Sequence, residues 1–558
     1  MRWVGVAGVG GLILYFSCTS SAPSSAQPEY VGDATCTRCH ADIAQAYTRT
    51  WKAHSFGRIT PNLPRIEDFN QPPVYDPHRN LYYQPRWEDS ALYLYEYRLK
   101  ATDTIYQRRE RLDYFIGSGH QTRSYLIWRN GFLYEAPLTW YVRVGKWALS
   151  PGYEGGRNTR FAREIQPTCL ECHASGWRAV PWTYNRYDTL GGPIGCESCH
   201  GPGSQHVQFP HDPAYHWSQW PLSRQIDVCS ACHLEGITLT KKSGWRPGLA
   251  LADYRLVFLP IKPEWGPQGI AAHAERLFLS ACYQKGKVTC TTCHEPHPTS
   301  PPPPYEKRCQ SCHGQKCPHT HHPTKSCISC HMPTGPTSDI PHTHFTDHYI
   351  RVVRPESAFG SVRAVPMLRC AMEIMPDSSW LGEAYLRWYS QQSNHPAALS
   401  QALELLKRHP RAQALAEALL LAGQPAQALP WAQKALQEDT TLFRLELYAY
   451  LLEMTGQPEK ALKVWELLRQ KAPAYPEADF RATLLAYQLG RLNSAQTYTV
   501  LARLTRIQPW NAQFQYNAAI LAAQMGEYAQ AKAHLKAALA YEPDYPQARE
   551  AYQRLTQQ

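Results

Sequence analysis

One five-residue pattern recurs along this chain. Cys-x-x-Cys-His occurs at Cys36, Cys39 and His40; Cys169, Cys172 and His173; Cys196, Cys199 and His200; and Cys229, Cys232 and His233. Three further copies are Cys290, Cys293 and His294; Cys309, Cys312 and His313; and Cys327, Cys330 and His331. The chain has 18 Cys and 24 His in 558 residues, a composition that leaves about 0.025 copies to chance. Seven copies therefore carry a chemical meaning.

The spacing suits covalent haem attachment. Two thiols three residues apart reach the two vinyl groups on one porphyrin edge, and the histidine that follows lies under the iron as its proximal ligand. Zinc sites use Cys-x-x-Cys pairs without demanding a histidine each time. A disulfide framework would not enforce that histidine, and iron–sulfur clusters want other cysteine sets. The expected cofactor is seven c-type haems.

The far side of each iron needs a ligand. The chain has only seven Met, and Met332 directly follows a proximal histidine. Fourteen non-motif histidines lie between His54 and His348, twice the number that full bis-His ligation needs. His297 (CHEPH) and His206 (CHGPGSQH) are too near their own motifs to reach round, so each would serve a neighbouring haem. His54, His120 and His273 are further candidates. His322 is preferred from the cluster His319, His321 and His322. The stretch DIPHTHFTDH offers His342, His344 and His348, of which His342 and then His348 are preferred. His78, His211 and His216 read as surface residues. Four cysteines lie outside the motifs. Cys282 and Cys317 form a candidate disulfide, Cys370 has no evident partner, and Cys18 belongs to the leader.

That leader begins with Arg2 and an apolar run from Val4 to Phe16. The run is shorter than the roughly 20 residues of a membrane-spanning helix, so residues 1–17 read as an export signal. Cys18 is the lipidation candidate of a loose lipobox, with cleavage near Ala22 or Ala26 as the alternative. Residues 18–32 read as a tether. The expected location is exported: periplasmic or at the cell surface and extracellular, with membrane attachment through a lipid on Cys18. The formal charge is +11, but no Lys/Arg run marks a nucleic-acid partner. Each haem would add two propionates that offset this charge.

Three compositional regions must position these groups. The chain is long enough for two or three domains, and 43% hydrophobic against 18% charged residues reads as globular. The fold expected is multidomain α+β. Residues 33–350 would form a haem-packed, mostly helical domain with little regular structure. A β-rich insertion at 74–147 contains no Cys, an aromatic strand at Leu92 to Tyr97, and a hairpin turn at Asn130-Gly131. Residues 351–377 are a linker. Residues 378–558 repeat: Gly423, Gly456, Gly490 and Gly526 are 33, 34 and 36 residues apart, each with Ala five residues later (Ala428, Ala461, Ala495, Ala531). That period is the signature of an all-α tetratricopeptide-repeat solenoid. A degenerate fifth repeat falls at Ser378 to Pro410, with a capping helix from Pro546.

The signatures CESCHGPGSQH, CTTCHEPH, CISCHMP and DIPHTHFTDH resemble the cytochrome superfamily of the tetrahaem electron carrier of ammonia oxidisers and the octahaem hydroxylamine oxidoreductases. With the repeats, the chain looks like an exported multihaem cytochrome carrying them. The resemblance implies His206, His297 and His342 as distal ligands. It departs from the catalytic relatives, since no Cys-x-x-Cys-Lys site exists and no crosslinking Tyr can be identified. The function expected is electron transfer rather than catalysis, with no catalytic residues assigned and the repeats docking redox partners. One alternative is a reductase or oxidase of a small nitrogen or sulfur compound with one open haem. The other is self-assembly into an extracellular cytochrome filament.

Overall fold

The computed structural model describes residues 28–212, 216–261, 268–298, 304–314, 326–352, 367–372, 376–393 and 395–557. The export segment, Cys18, Cys317, His319, His321, His322 and most of the linker lie outside them.

Ten strands build a two-sheet module. They are β1 (Phe56–Arg58), β2 (Val74–Asp76), β3 (Leu81–Glu88), β4 (Ala91–Lys100), β5 (Asp103–Leu112), β6 (Tyr114–Ile116), β7 (Thr122–Arg129), β8 (Phe132–Tyr141), β9 (Lys146–Leu149) and β10 (Arg163–Glu164). One sheet runs β2-β3-β4-β5; the other runs β1-β6-β7-β8-β10, with β9 also on β8. The sheets thus reach beyond 74–147 at both ends, through β1 and β10.

The β7–β8 hairpin turns on Asn130 and Gly131, both at positive φ (50° and 86°), as a two-residue type I′ turn requires. In β4, Leu92, Leu94 and Glu96 alternate inward, and the two leucines meet Tyr125, Ile127, Leu138 and Trp140 of the second sheet. The opposite face of that second sheet buries Leu126 and Leu133 against Leu170 of the motif helix Pro167–His173. β8 is therefore buried along its whole length.

The motif region has short helices and a three-stranded sheet of Ile237–Thr240, Arg255–Pro260 and Leu368–Cys370. The last strand comes from the linker, for which the sequence carries no strand signal. Helix Ser378–Trp388 packs on this sheet, and one apolar cluster runs from Ile237 and Phe258 through Leu386 and Leu406 to Leu451.

From there helices pair in succession: Pro396–Arg408, Ala412–Leu421, Pro425–Glu438, Leu442–Met454, Pro458–Lys471, Pro476–Gln488, Ser494–Ile507, Ala512–Gln524, Tyr528–Tyr541 and Pro546–Gln557. Gly423, Gly456, Gly490 and Gly526 end the first helix of each pair at φ 69–82°, the left-handed cap that glycine supplies cheaply. Ala428, Ala461 and Ala531 are fully buried. Ala495 is exposed, and Thr497 is buried in its place. The extra residues of the 36-residue period fall in the turn before Ser494 and push the contact two positions on.

The turns between repeats dock on the β module. Asn130 Nδ2 donates to Ile507 O (2.8 Å) and Arg186 to Ala474 O (3.2 Å). The Trp510 ring lies edge-on to Phe132 and Tyr134. Arg98 pairs with Asp544 at 2.7 Å. The buried Arg160 binds Glu96 and also donates to Tyr541 O (2.7 Å).

Candidate haem site

All seven motif histidines and thirteen of the fourteen motif cysteines line one continuous cavity of about 4900 Å³. Ordinary ligand pockets hold roughly 300–1,000 Å³, so this space suits several large groups rather than one. The remaining cysteine, Cys169, packs against the β module.

The motifs are not arranged in chain order. Glu197, inside the third motif, accepts from the backbone N–H of Val31 (2.9 Å), Gly32 (2.7 Å) and Gly203 (2.8 Å). Asp33 accepts from Cys196 N (2.8 Å). These bonds clamp the first motif beside the third, and the Cys36 and Cys196 thiols interact. Cys172 likewise meets Cys232, and Cys229 meets Cys290. The second motif thus borders the fourth, which borders the fifth. The Cys309 thiol senses Cys327 and Cys293, joining the last three motifs.

Three histidine pairs carry the strongest geometric signal. His40 and His206, His200 and His297, and His294 and His348 have ring centroids 6.1, 5.9 and 6.1 Å apart, with interplanar angles of 16°, 19° and 23°. Two metal–nitrogen bonds of about 2 Å plus two ring radii place the imidazoles of a bis-His iron about 6 Å apart. Each pair joins a motif histidine to a non-motif one. His273 lies 5.0 Å from His233 and 4.7 Å from His348.

Nitrogen chemistry fits as well. His348 Nδ1 lies 2.8 Å from Thr346 O, and His331 Nδ1 lies 3.0 Å from Arg351 O. Such bonds hold the proton on Nδ1 and leave Nε2 for a metal. Among the described residues, the buried Nδ1 atoms of His233, His273 and His344 have no hydrogen-bond partner. Burial lowers the His233 and His294 imidazoles to about 4 and His273 to about 3, so these rings are neutral, as ligands must be.

Among the described residues, no group of three or more His, Cys, Asp or Glu is placed to hold a bare metal ion. All sixteen described cysteines are free thiols. The donor set, paired thiols each followed by a histidine around one cavity, fits haem.

The other candidates fall as follows. His54 does not line the cavity, and its Nε2 is engaged by Thr48 O at 2.9 Å. His342 also lies off the cavity, 5.1 Å from the Tyr141 ring; its positive φ (61°) turns the chain there. His344 lines the cavity instead. His120 lines it beside Trp51, ring centroids 4.8 Å apart. His211 and His216, read as surface residues, also border it, whereas His78 does not. Cys282 lines the cavity too, while Cys317 and His322 are outside the described residues. Spacing alone gave no signal separating His342 from His344.

Residues 153–201 match the family model "Cytochrome c554 and c-prime". The chain is 25% identical over 184 residues to the multihaem cytochrome MtrA of Shewanella baltica (strain OS185), covering 27% of this chain and 53% of that protein. It therefore spans about half the length of this curated relative. Solved tetratricopeptide proteins share about a third of the chain. YrrB, a TPR protein with an unusual peptide-binding site, is 20% identical (30% of this chain, 88% of that one, TM-score 0.25). MamA is 15% identical (30% and 94%, 0.26), and TTC0263, a TPR protein of Thermus thermophilus, is 19% identical (32% and 100%, 0.26). The two cytochrome likenesses agree with the donor set, whose paired cysteines and following histidines fit covalently held c-type haem.

Proposed function

We propose that the cavity holds seven haems, one per motif, and that the chain conducts electrons outside the cytoplasm. Haem supplies a one-electron couple when bound. The chain's cysteines fix each group, its histidines saturate the irons, and the β module adds residues between Gly117 and Thr122 to the wall. The observation that carries this reading is the set of three parallel imidazole pairs at 5.9–6.1 Å.

The motif contacts support a branched path. It runs 36–40, 196–200, 229–233, 290–294, 309–313, 327–331, with 169–173 joined at 229–233; Cys199, near Cys229 and Cys232, links the third motif to the fourth. His206, His297 and His348 are the distal ligands this reading favours, and His273, His120 and His344 are the further candidates. Redox partners would dock on the solenoid surfaces that the β module leaves free. The apolar leader supports export, with Cys18 as lipid anchor.

A haem assay coupled to intact mass and EPR tests the reading. Seven haems per chain and low-spin ferric centres are expected. His206→Ala, His297→Ala and His348→Ala should each convert one centre to high spin, whereas His342→Ala should convert none. Fewer than seven haems, or unchanged spectra in the three variants, overturns it. A high-spin centre in the unmodified protein would favour an enzyme with an open iron instead.

A further inference from the structure

A buried charge cluster flanks His348. Asp347 and Arg276 are 8% and 5% exposed. Arg276 Nε and Nη2 donate to the two Asp347 carboxylate oxygens at 2.8 and 2.7 Å, a two-bond fork. Arg351 Nη1 donates to the same carboxylate at 2.8 Å and to Tyr349 O at 2.6 Å. Both guanidiniums lie over the Tyr349 ring, 5.3 and 4.3 Å from its centroid. The cluster grips the chain on either side of His348. Asp347 N donates to Pro333 O (2.9 Å), and Asp347 Oδ1 accepts from Tyr349 N (2.9 Å), a side-chain turn that closes around His348. The grip extends to the last motif: Arg351 N donates to His331 O (3.2 Å), and Arg351 O lies 3.0 Å from His331 Nδ1. Well-packed apolar residues of the same volume would stabilise such a spot as well as buried ions do. Only directed bonds fix how a neighbouring ring is turned.

We infer, on the haem reading above, that Asp347 is a positioning residue: through Tyr349 N and Arg351 it sets the planes of the His348 and His331 imidazoles. An imidazole can turn about its bond to iron. Its backbone and the hydrogen-bond partner of its other nitrogen decide where it stops. His348 stands opposite His294 with 23° between the ring planes. That angle shapes the ligand field at the iron, and with it the EPR signal of a low-spin ferric centre. Releasing the cluster frees both rings to turn without removing a ligand.

EPR of the haem-loaded ferric protein tests this, with haem content measured first in every variant. The low-spin signal that His348→Ala abolishes marks the centre at 290–294. Asp347→Asn strands the two guanidiniums, and Arg276→Lys replaces the fork by a point contact. Each should keep all haems and move most of the marked signal to a new g value. Asp347→Asn should also move a second signal, from the centre at 327–331. Glu417→Gln breaks a comparable buried fork with Arg387 in the repeats and should leave every signal in place. Full haem content with the marked signal unmoved in both variants overturns the role of Asp347. So does loss of haem in both, or an equal displacement in Glu417→Gln, since either makes the cluster merely structural. A parent protein without haem, or an unchanged His348→Ala spectrum, overturns the haem reading instead.

Discussion

Replacing Arg160 should unlock the β module from the last repeat. Arg160 is 4% exposed and Glu96 is 0% exposed. The guanidinium binds both Glu96 oxygens, the Tyr106 hydroxyl (2.7 Å), Tyr541 O (2.7 Å) and Glu542 (3.1 Å). Arg160→Met leaves the Glu96 carboxylate buried without its cation, a loss that costs about 3–5 kcal/mol. Replacing both members by apolar residues removes the stranded charge, so Glu96→Leu/Arg160→Met should recover at least about 2 kcal/mol as coupling energy. Denaturant unfolding followed by circular dichroism measures all four proteins. Burial pushes the Glu96 carboxyl up, but the Arg160 guanidinium more than offsets this and holds it below its ordinary value. The pair therefore stabilises above the unfolded carboxyl pKa of about 4.3, and its contribution disappears as pH falls through the lower folded value. The gap between parent and Arg160→Met should narrow in that acid range. A loss below about 1 kcal/mol at neutral pH, or strict additivity in the cycle, refutes the reasoning.

Gly456→Ala should cost about 1–2 kcal/mol, because its φ is 73° although an added Cβ would meet nothing within 4 Å. Gly456→Asn should cost less, and thermal melts of the two variants check the order. Burial raises the Glu446 carboxyl even though the Tyr184 and Tyr475 hydroxyls pull it down. Its ionised form is thus a net burden above the unfolded pKa, so Glu446→Gln should raise the melting midpoint at neutral pH, with the gain fading as pH drops. A Glu446→Gln midpoint below the parent's at neutral pH would contradict this.

Local signals read well from the sequence. The Asn130-Gly131 turn and the glycine period both depend on residues a few positions apart, and both appear where those residues put them. The repeat phase failed at Ala495, since two added residues move a helix face without changing its composition. Long-range pairings were illegible. β1 and β10 are three and two residues long. They owe their existence to distant partners, as when Phe56 meets Ile116 and Arg163 meets Glu135. Histidines tied to a motif, His206 and His297, do lie ring to ring with motif histidines. In DIPHTHFTDH spacing does not separate the rings: His342, at positive φ, lies off the cavity that His344 and His348 line. His54 fits by spacing, but a nearby carbonyl takes its nitrogen.

The docking of the final repeat on the β module bears on the order of assembly. Arg98 and Asp544 are 446 residues apart in sequence. Closing so large a loop carries an entropic penalty and waits for nearly the whole chain to be present. The solenoid therefore closes late, as a clasp on the β module. A chain stalled before Ala540 would keep its motifs but not the clasp, so the motif region and the final docking of the repeats are separable parts of assembly.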